Sequence, residues 1–284
     1  MNNYIQRFLL EDLDIRGAVV HLDSVWQQML QDRNYPAPVI QLLGEMSATT
    51  LLLGCNLKQL GRLTVQLRSN GPVSMLVIDC NESFHLRGMA KYASQVAAQP
   101  VPDLLGHGQL VLTLDMASMR EAYQSIVPLD GDTIAEIFEH YFRQSEQLPS
   151  RLFLATSADA IFGILLQKLP TADQQDADGW TRIEALAATV QDQAMFSLTT
   201  EEILTRLFIE ETIRIFDAET VSYGCHENPA KIYSMLQSLG RAEVNAILQE
   251  QGEVVVHDDI CNREYRLDAL TIDAIFREAG STVH

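Results

Sequence analysis

The side chains most able to do redox or metal chemistry are four cysteines, Cys55, Cys80, Cys225 and Cys261. They are too few and too widely spaced for a disulfide framework. The pattern fits a reduced, cytoplasmic protein in which any thiol pair regulates rather than scaffolds. Cys55 follows the apolar run Leu51, Leu52, Leu53, and Cys80 ends a strand-like segment, so both are expected as buried small hydrophobes. His21, His85, His107 and His140 show no metal-ligand spacing. The chain holds no G-x-S-x-G, no Walker phosphate loop, no H-E-x-x-H and no C-x-x-C. An enzyme is therefore not expected, and no nucleotide is expected to drive a work cycle.

The 284 residues are 47% hydrophobic, enough for a substantial core. Twenty Lys and Arg against 38 Asp and Glu leave a formal charge of −18, which repels phosphate and argues against nucleic acid as a partner. No apolar run approaches the roughly 20 residues of a membrane span, and residues 1–10 lack the layout of a signal peptide. Neither a membrane partner nor export is expected.

Alternation, apolar periodicity and turn residues place the elements. Residues 15–22 form a strand, and Asp23 and Ser24 cap a helix to residue 30. Pro36 and Pro38 open an apolar helix over 39–53. Strands follow at 62–67, 75–80, 85–90 and 109–114, the first two joined by the turn Ser69-Asn70-Gly71-Pro72. A helix covers 132–147 and stops at Pro149. Strands at 151–156 and 160–168 come next, then a polar, acidic stretch at 170–179. Helices are expected at 182–196 and from the capping box Thr199 to Glu202 on to about Phe208, with a strand at 212–216. Trp26 and Trp180 are read as packing residues, the second holding the later helices onto the preceding domain. From residue 217 the pattern is helix, helix, hairpin, helix: Asn228 and Pro229 start the first and Gly240 closes it, and Asp268 caps the last. The fold class is α+β: an N-terminal antiparallel, β-rich domain with helices, a helical linker and a small C-terminal α+β domain. The parts are residues 1–179, 180–216 and 217–284. A unit as small as the last often needs a metal or disulfide staple.

The segment Tyr141-Phe142-Arg143-Gln144-Ser145-Glu146-Gln147-Leu148-Pro149 resembles a signature of the heat-shock-protein-33 family of redox-regulated holdases. Gly71-Pro72, Arg87-Gly88 and the run from Gly163 to Gln167 stand at family spacing. The resemblance spans residues 15–275. Within the block, Tyr141, Phe142, Ser145, Glu146, Gln147 and Pro149 are read as structural, forming a helix end and the turn into the next strand, with Ser145 and Glu146 making backbone or cap bonds.

The resemblance implies a substrate-binding domain, a linker and a C-terminal zinc-binding redox switch. The family's switch is a Cys-x-Cys followed by a Cys-x-x-Cys, four thiolates around zinc. Oxidation forms disulfides, removes the ligands and loosens the domain and linker. In this chain Cys225 matches the first cysteine and Cys261 the fourth, while Glu227 and Asp258 stand where the second and third are expected. Three readings stay open. Zinc is held by Cys225, Cys261, Glu227 and Asp258, with His226 or His257 replacing a carboxylate; or Cys225 and Cys261 bond directly; or both are buried remnants and the acids are solvated or paired with Arg263 or Arg266.

The function implied is an ATP-independent chaperone that holds unfolding proteins under heat or oxidative stress and dimerises when active. Two other classes compete: a thiol–disulfide exchange protein using Cys225 and Cys261, and a protein docking one fixed partner.

Overall fold

The computed structural model describes residues 3–57, 61–116, 121–190, 196–225 and 229–281, with backbone alone for 278–281. Its strands are β1 (Tyr4–Leu10), β2 (Ile15–Leu22), β3 (Arg62–Ser69), β4 (Val73–Cys80), β5 (His85–Tyr92), β6 (Gly108–Asp115), β7 (Tyr123–Val127), β8 (Ser150–Thr156), β9 (Ile161–Lys168), β10 (Ile213–Ile215), β11 (Glu219–Thr220), β12 (Ser222–Tyr223), β13 (Val254–Asp258) and β14 (Arg263–Leu267). Its helices are α1 (Ser24–Leu30), α2 (Ala37–Gly54), α3 (Val101–Leu105), α4 (Ile134–Tyr141), α5 (Ala172–Gln175), α6 (Gly179–Ala187), α7 (Thr200–Leu207), α8 (Pro229–Leu239), α9 (Arg241–Gln251) and α10 (Ala269–Ser281). The chain divides into two compact units, Met1–Gly224 and Cys225–His284.

In the first unit, sheet 1 runs β10-β1-β2-β9-β8 with β11 also on β1, and sheet 2 runs β12-β5-β4-β3-β6-β7. Helix α2 lies between them. Pro36 stands at its N-cap and Pro38 in its first turn, where a missing N–H costs nothing. It is apolar nearly all round, and residues Leu42 to Gly54 are buried without interruption. By length and composition alone α2 could cross a membrane, but a helix buried on every side is a core helix. Its polar residues are satisfied internally: the hydroxyls of Ser47, Thr49 and Thr50 donate to the carbonyls of Leu43, Glu45 and Met46 at 2.7–2.8 Å. Close approach to sheet 1 needs a bare backbone. A Cβ on Gly44 would lie 2.4 Å from Thr156 Cγ2.

Strand alternation gives sheet 1 two apolar faces. Ala18, Val20, Leu22, Ile161 and Leu165 point to the core that contains α2. Ile15, Val19, Phe162, Ile164 and Leu166 point the other way, into a second core with Phe8, Leu10 and Leu13. That second core is closed by Ile183 and Ala187 of α6, Ile203 and Leu204 of α7, and Phe208.

The sequence-derived elements are largely present, with differences. Strands β1, β7, β11 and β12 and the short helices α3 and α5 are not among the expected elements. Helix α4 ends at Tyr141 and passes into one π-helical turn, Phe142–Glu146, rather than continuing to 147. The helix expected over 182–196 is α6, which starts earlier and stops at Ala187; the Thr189 amide and hydroxyl both donate to the Leu186 carbonyl and close the chain into a turn there. Residues 191–195 lie outside the described residues.

The second unit packs α8, α9 and α10 around the two-stranded sheet β13-β14. Its core is Ile232, Leu236, Val244, Val254, Leu267, Ile272 and Ile275. Gly240 and Gly252 take positive φ at the helix ends, as the C-terminal turns require. The Asp268 carboxylate accepts from the Thr271 amide at 2.9 Å and caps α10.

Candidate functional site

Cys225 opens the second unit and Cys261 lies in the turn between β13 and β14. The two are joined as a disulfide, with Cα atoms 5.5 Å apart and a sequence separation of 36. The turn that carries Cys261 is built by Asp258. Its Oδ1 accepts from the Ile260 and Cys261 amides at 3.1 and 3.2 Å, an Asx turn that fixes the backbone under the sulfur. Asn262 adds a left-handed φ of 48°, a conformation asparagine tolerates. Both bridged cysteines are partly exposed. Cys55 and Cys80 are the opposite case: they are buried and unpaired, and burial pushes each thiol up to about 12. They are inert, as small buried hydrophobes should be.

Among the described residues no three His, Cys, Asp or Glu side chains come together as metal ligands. The sulfurs are bonded to each other, and the Asp258 carboxylate oxygen is taken by its own turn. His257 turns its Nε2 to Asp259 Oδ1 at 3.7 Å. His226 and Glu227, along with the expected cap Asn228, lie outside the described residues. In the disulfide form the described members of the set, Cys225, Cys261 and Asp258, are thus engaged elsewhere and do not converge as ligands. Of the partners that the third reading left open for the acids, Arg263 or Arg266 or solvent, Arg266 bonds Glu253 and Glu264.

The second feature is the apolar face of sheet 1 under α6 and α7. Its cover is pinned at the rim by ion pairs. Arg182 of α6 reaches Glu211 and Asp176, each at 3.0 Å. Arg151 of β8 bonds Glu139 of α4 at 2.8 Å and Glu184 of α6. Helix α7 starts with the expected capping box between Thr199 and Glu202. The Thr200 hydroxyl donates to the Tyr4 hydroxyl at 3.1 Å, tying that helix to β1.

The signature block sits beside this cover. Tyr141 and Phe142 are buried, whereas Ser145 and Glu146 are exposed. Gln147, at φ 55°, turns the chain, and Pro149 leads into β8. A polar groove of about 350 Å³ separates Arg143 and Pro149 from Trp180 and Glu184 of α6. Trp180 packs against the second core, as expected of a residue holding the later helices down. Arg151, Glu139 and Glu184 were not singled out from the sequence. Ion pairs across elements 12 and 33 residues apart leave no local pattern.

The family model described as Hsp33 protein matches residues 3–268. A 33 kDa chaperonin from Chromobacterium violaceum is 39% identical over 280 residues, covering 97% of this chain and 95% of that protein. The 33 kDa chaperonin of Vibrio cholerae is 36% identical over 291 residues, covering 100% and 99%. The crystal structure of the 33 kDa chaperonin (heat shock protein 33 homolog) from Thermotoga maritima superposes with a TM-score of 0.84 over 99% of this chain and 100% of that one. At 21% identity that likeness speaks for the fold. Family model and relatives agree over nearly the full length: this chain belongs to the Hsp33 family.

Proposed function

We propose that this protein is an ATP-independent holdase, a chaperone that captures unfolding proteins on apolar surface and keeps them from aggregating under heat or oxidative stress. The observation that carries the proposal is the apolar face of sheet 1, formed by Phe8, Ile15, Val19, Phe162, Ile164 and Leu166 and covered by two helices of nine and eight residues. Isolated helices that short are unstable in water, so they stay folded only while they are docked. Helices α6 and α7, within residues 180–216, are then the releasable part of the linker, the two sheets with α2 the client-binding core and the unit from Cys225 the switch, with Cys225 and Cys261 its redox pair. Clients are unfolded or partly unfolded proteins of many kinds, the active form is a homodimer, and the site of action is the cytoplasm. No catalytic step is assigned. A thiol-exchange enzyme is less well supported, because the pair closes a long loop rather than a reactive C-x-x-C turn.

Light scattering of two unrelated heat-labile clients tests this. Without ATP, equimolar protein should suppress the aggregation of both at a temperature where α6 and α7 have become protease-sensitive. Failure with both, with or without peroxide, removes the proposal, and protection of only one points to a dedicated partner.

A further inference from the structure

We propose that the redox polarity of the second unit is reversed relative to the family's four-thiolate switch: oxidation closes and stabilises this unit, and reduction loosens it. In a zinc-held unit the oxidant removes the ligands and with them the folding free energy that the metal supplied. Here only two of the four thiolates remain, Glu227 and Asp258 standing for the others, and the Asp258 carboxylate is already engaged by its own turn, so little metal-supplied folding energy is there for an oxidant to remove. Oxidation adds a cross-link instead.

The location of that cross-link decides its effect. The bond between Cys225 and Cys261 encloses α8, α9 and β13, and with them Ile232, Leu236, Val244 and Val254, four of the seven core residues. The turn under Cys261 is shaped by Asp258 and needs no metal to hold the sulfur in place. A unit running only from Cys225 to His284 buries a small core, the size at which a staple matters most. Closing the 36-residue loop restricts the unfolded chain far more than the folded one.

The chemistry balances with a peroxide as oxidant. The thiolate of one cysteine attacks a peroxide oxygen, the O–O bond breaks, and a sulfenic acid and one water form. The second thiol then attacks the sulfenic sulfur, the S–S bond forms and a second water leaves, so two thiols and hydrogen peroxide become one disulfide and two waters. Two electrons pass from sulfur to the peroxide. Both cysteines are partly exposed, so oxidant and reductant can reach them, whereas Cys55 and Cys80 are buried. In a reducing cytoplasm the resting unit is the dithiol and therefore the looser form. The consequence for client capture, that heat rather than peroxide is the trigger, rests on the holdase proposal. The polarity itself does not.

Amide hydrogen exchange on the full-length protein, read by mass spectrometry without any client, separates the two. Peroxide-oxidised protein, protein reduced in the presence of a chelator, reduced protein with added zinc, and the double variant C225S/C261S are compared. Peptides within 229–275 should exchange faster on reduction by on the order of a hundredfold, while peptides of the first unit stay unchanged. The double variant should match the reduced protein, and zinc should restore little. Equal protection in oxidised and reduced protein, or greater protection on reduction, overturns the inference. So does zinc-restored protection in the reduced wild type that the variant lacks. Because no client is present, a failed aggregation assay and a failed polarity are distinct results.

Discussion

Sheet 1 is covered on both faces, and the two covers are built differently. On one side lies α2, 18 residues long and itself enclosed by sheet 2, with its backbone brought against β8 at Gly44 and every buried hydroxyl bonded to its own helix. On the other side lie α6 and α7, each burying only three residues, with charged rims facing water. Both covers exclude water from the same strands, but removing α2 would open two sheets at once. Removing α6 and α7 would expose one face and leave the sheet hydrogen bonds and the α2 core intact. Opposite faces of one sheet thus carry covers of different depth, and the shallower one is the cover that the proposed holdase activity would release.

Paired leucine truncations in the two covers should act on different scales. Leu52 of α2 and Leu204 of α7 are both fully buried. Leu52→Ala is expected to cost about 3 kcal/mol of global stability, and the protection of β2 and β9 amides should fall with it. Leu204→Ala removes the same atoms but should act locally. Exchange in 179–207 should rise and an apolar dye should bind, while β2 and β9 amides keep their protection. If both variants lower β9 protection equally, the two covers are one cooperative unit and the distinction fails.

Arg182→Ala deletes the contacts to Asp176 and Glu211 without touching the apolar face. Ion pairs at a rim contribute little, so the open population should rise only a few-fold, most of it from the contact to the partly buried Glu211. Limited proteolysis in 179–207 would report it, and 1 M salt should produce much of the same rise in the wild type by screening. No change in cleavage would place the grip of the cover in its apolar contacts alone.

How much of this was legible in the sequence depends on range. The enclosed helix announced itself through Pro36, Pro38 and an unbroken apolar run, and the sheet 2 meander through the alternation at 62–67 and the turn at Ser69 to Pro72. A Cβ on Gly71 would lie 2.5 Å from the Leu104 carbonyl oxygen, so the residue that signalled the turn also has a spatial reason. Strand β1 was missed because its apolar residues serve two cores, Ile5 on one face and Phe8 and Leu10 on the other, which blurs the period-two signal. The rim pairs of Arg151 with Glu139 and Glu184, and of Arg182 with Glu211, join residues 12 to 33 apart and leave no motif. The approach of Cys225 to Cys261 was suggested only by resemblance, since a spacing of 36 serves a metal site or a disulfide equally well. The Asp258 turn that carries Cys261 is likewise invisible to a one-dimensional reading.

The smallest effect concerns His21, at the edge of the shallower cover. Its ring lies 6.0 Å from the Tyr4 ring on β1 and 5.9 Å from the Phe162 ring on β9, and its Nδ1 is buried without a hydrogen-bond partner. Tyr4 in turn accepts the Thr200 hydroxyl of α7. Burial pushes the His21 pKa below its ordinary value, and the nearby Asp23 carboxylate offsets this only in part. The folded state therefore holds a neutral imidazole that the unfolded chain protonates near pH 6.5. Its contribution to stability is fully present above that pH and is lost as pH falls from there toward the lower folded value. Buried Glu45 works in the opposite direction: burial pushes its pKa up, so acid relieves rather than adds a cost. That contribution is common to wild type and variant and cancels in their difference. Tm measured at pH 7.5 and 5.5 should drop further for the wild type than for His21→Leu, and acid should raise exchange at the N-terminus of α7 before it does so in α2. Equal drops in the two proteins would assign the acid sensitivity of this face to groups other than His21.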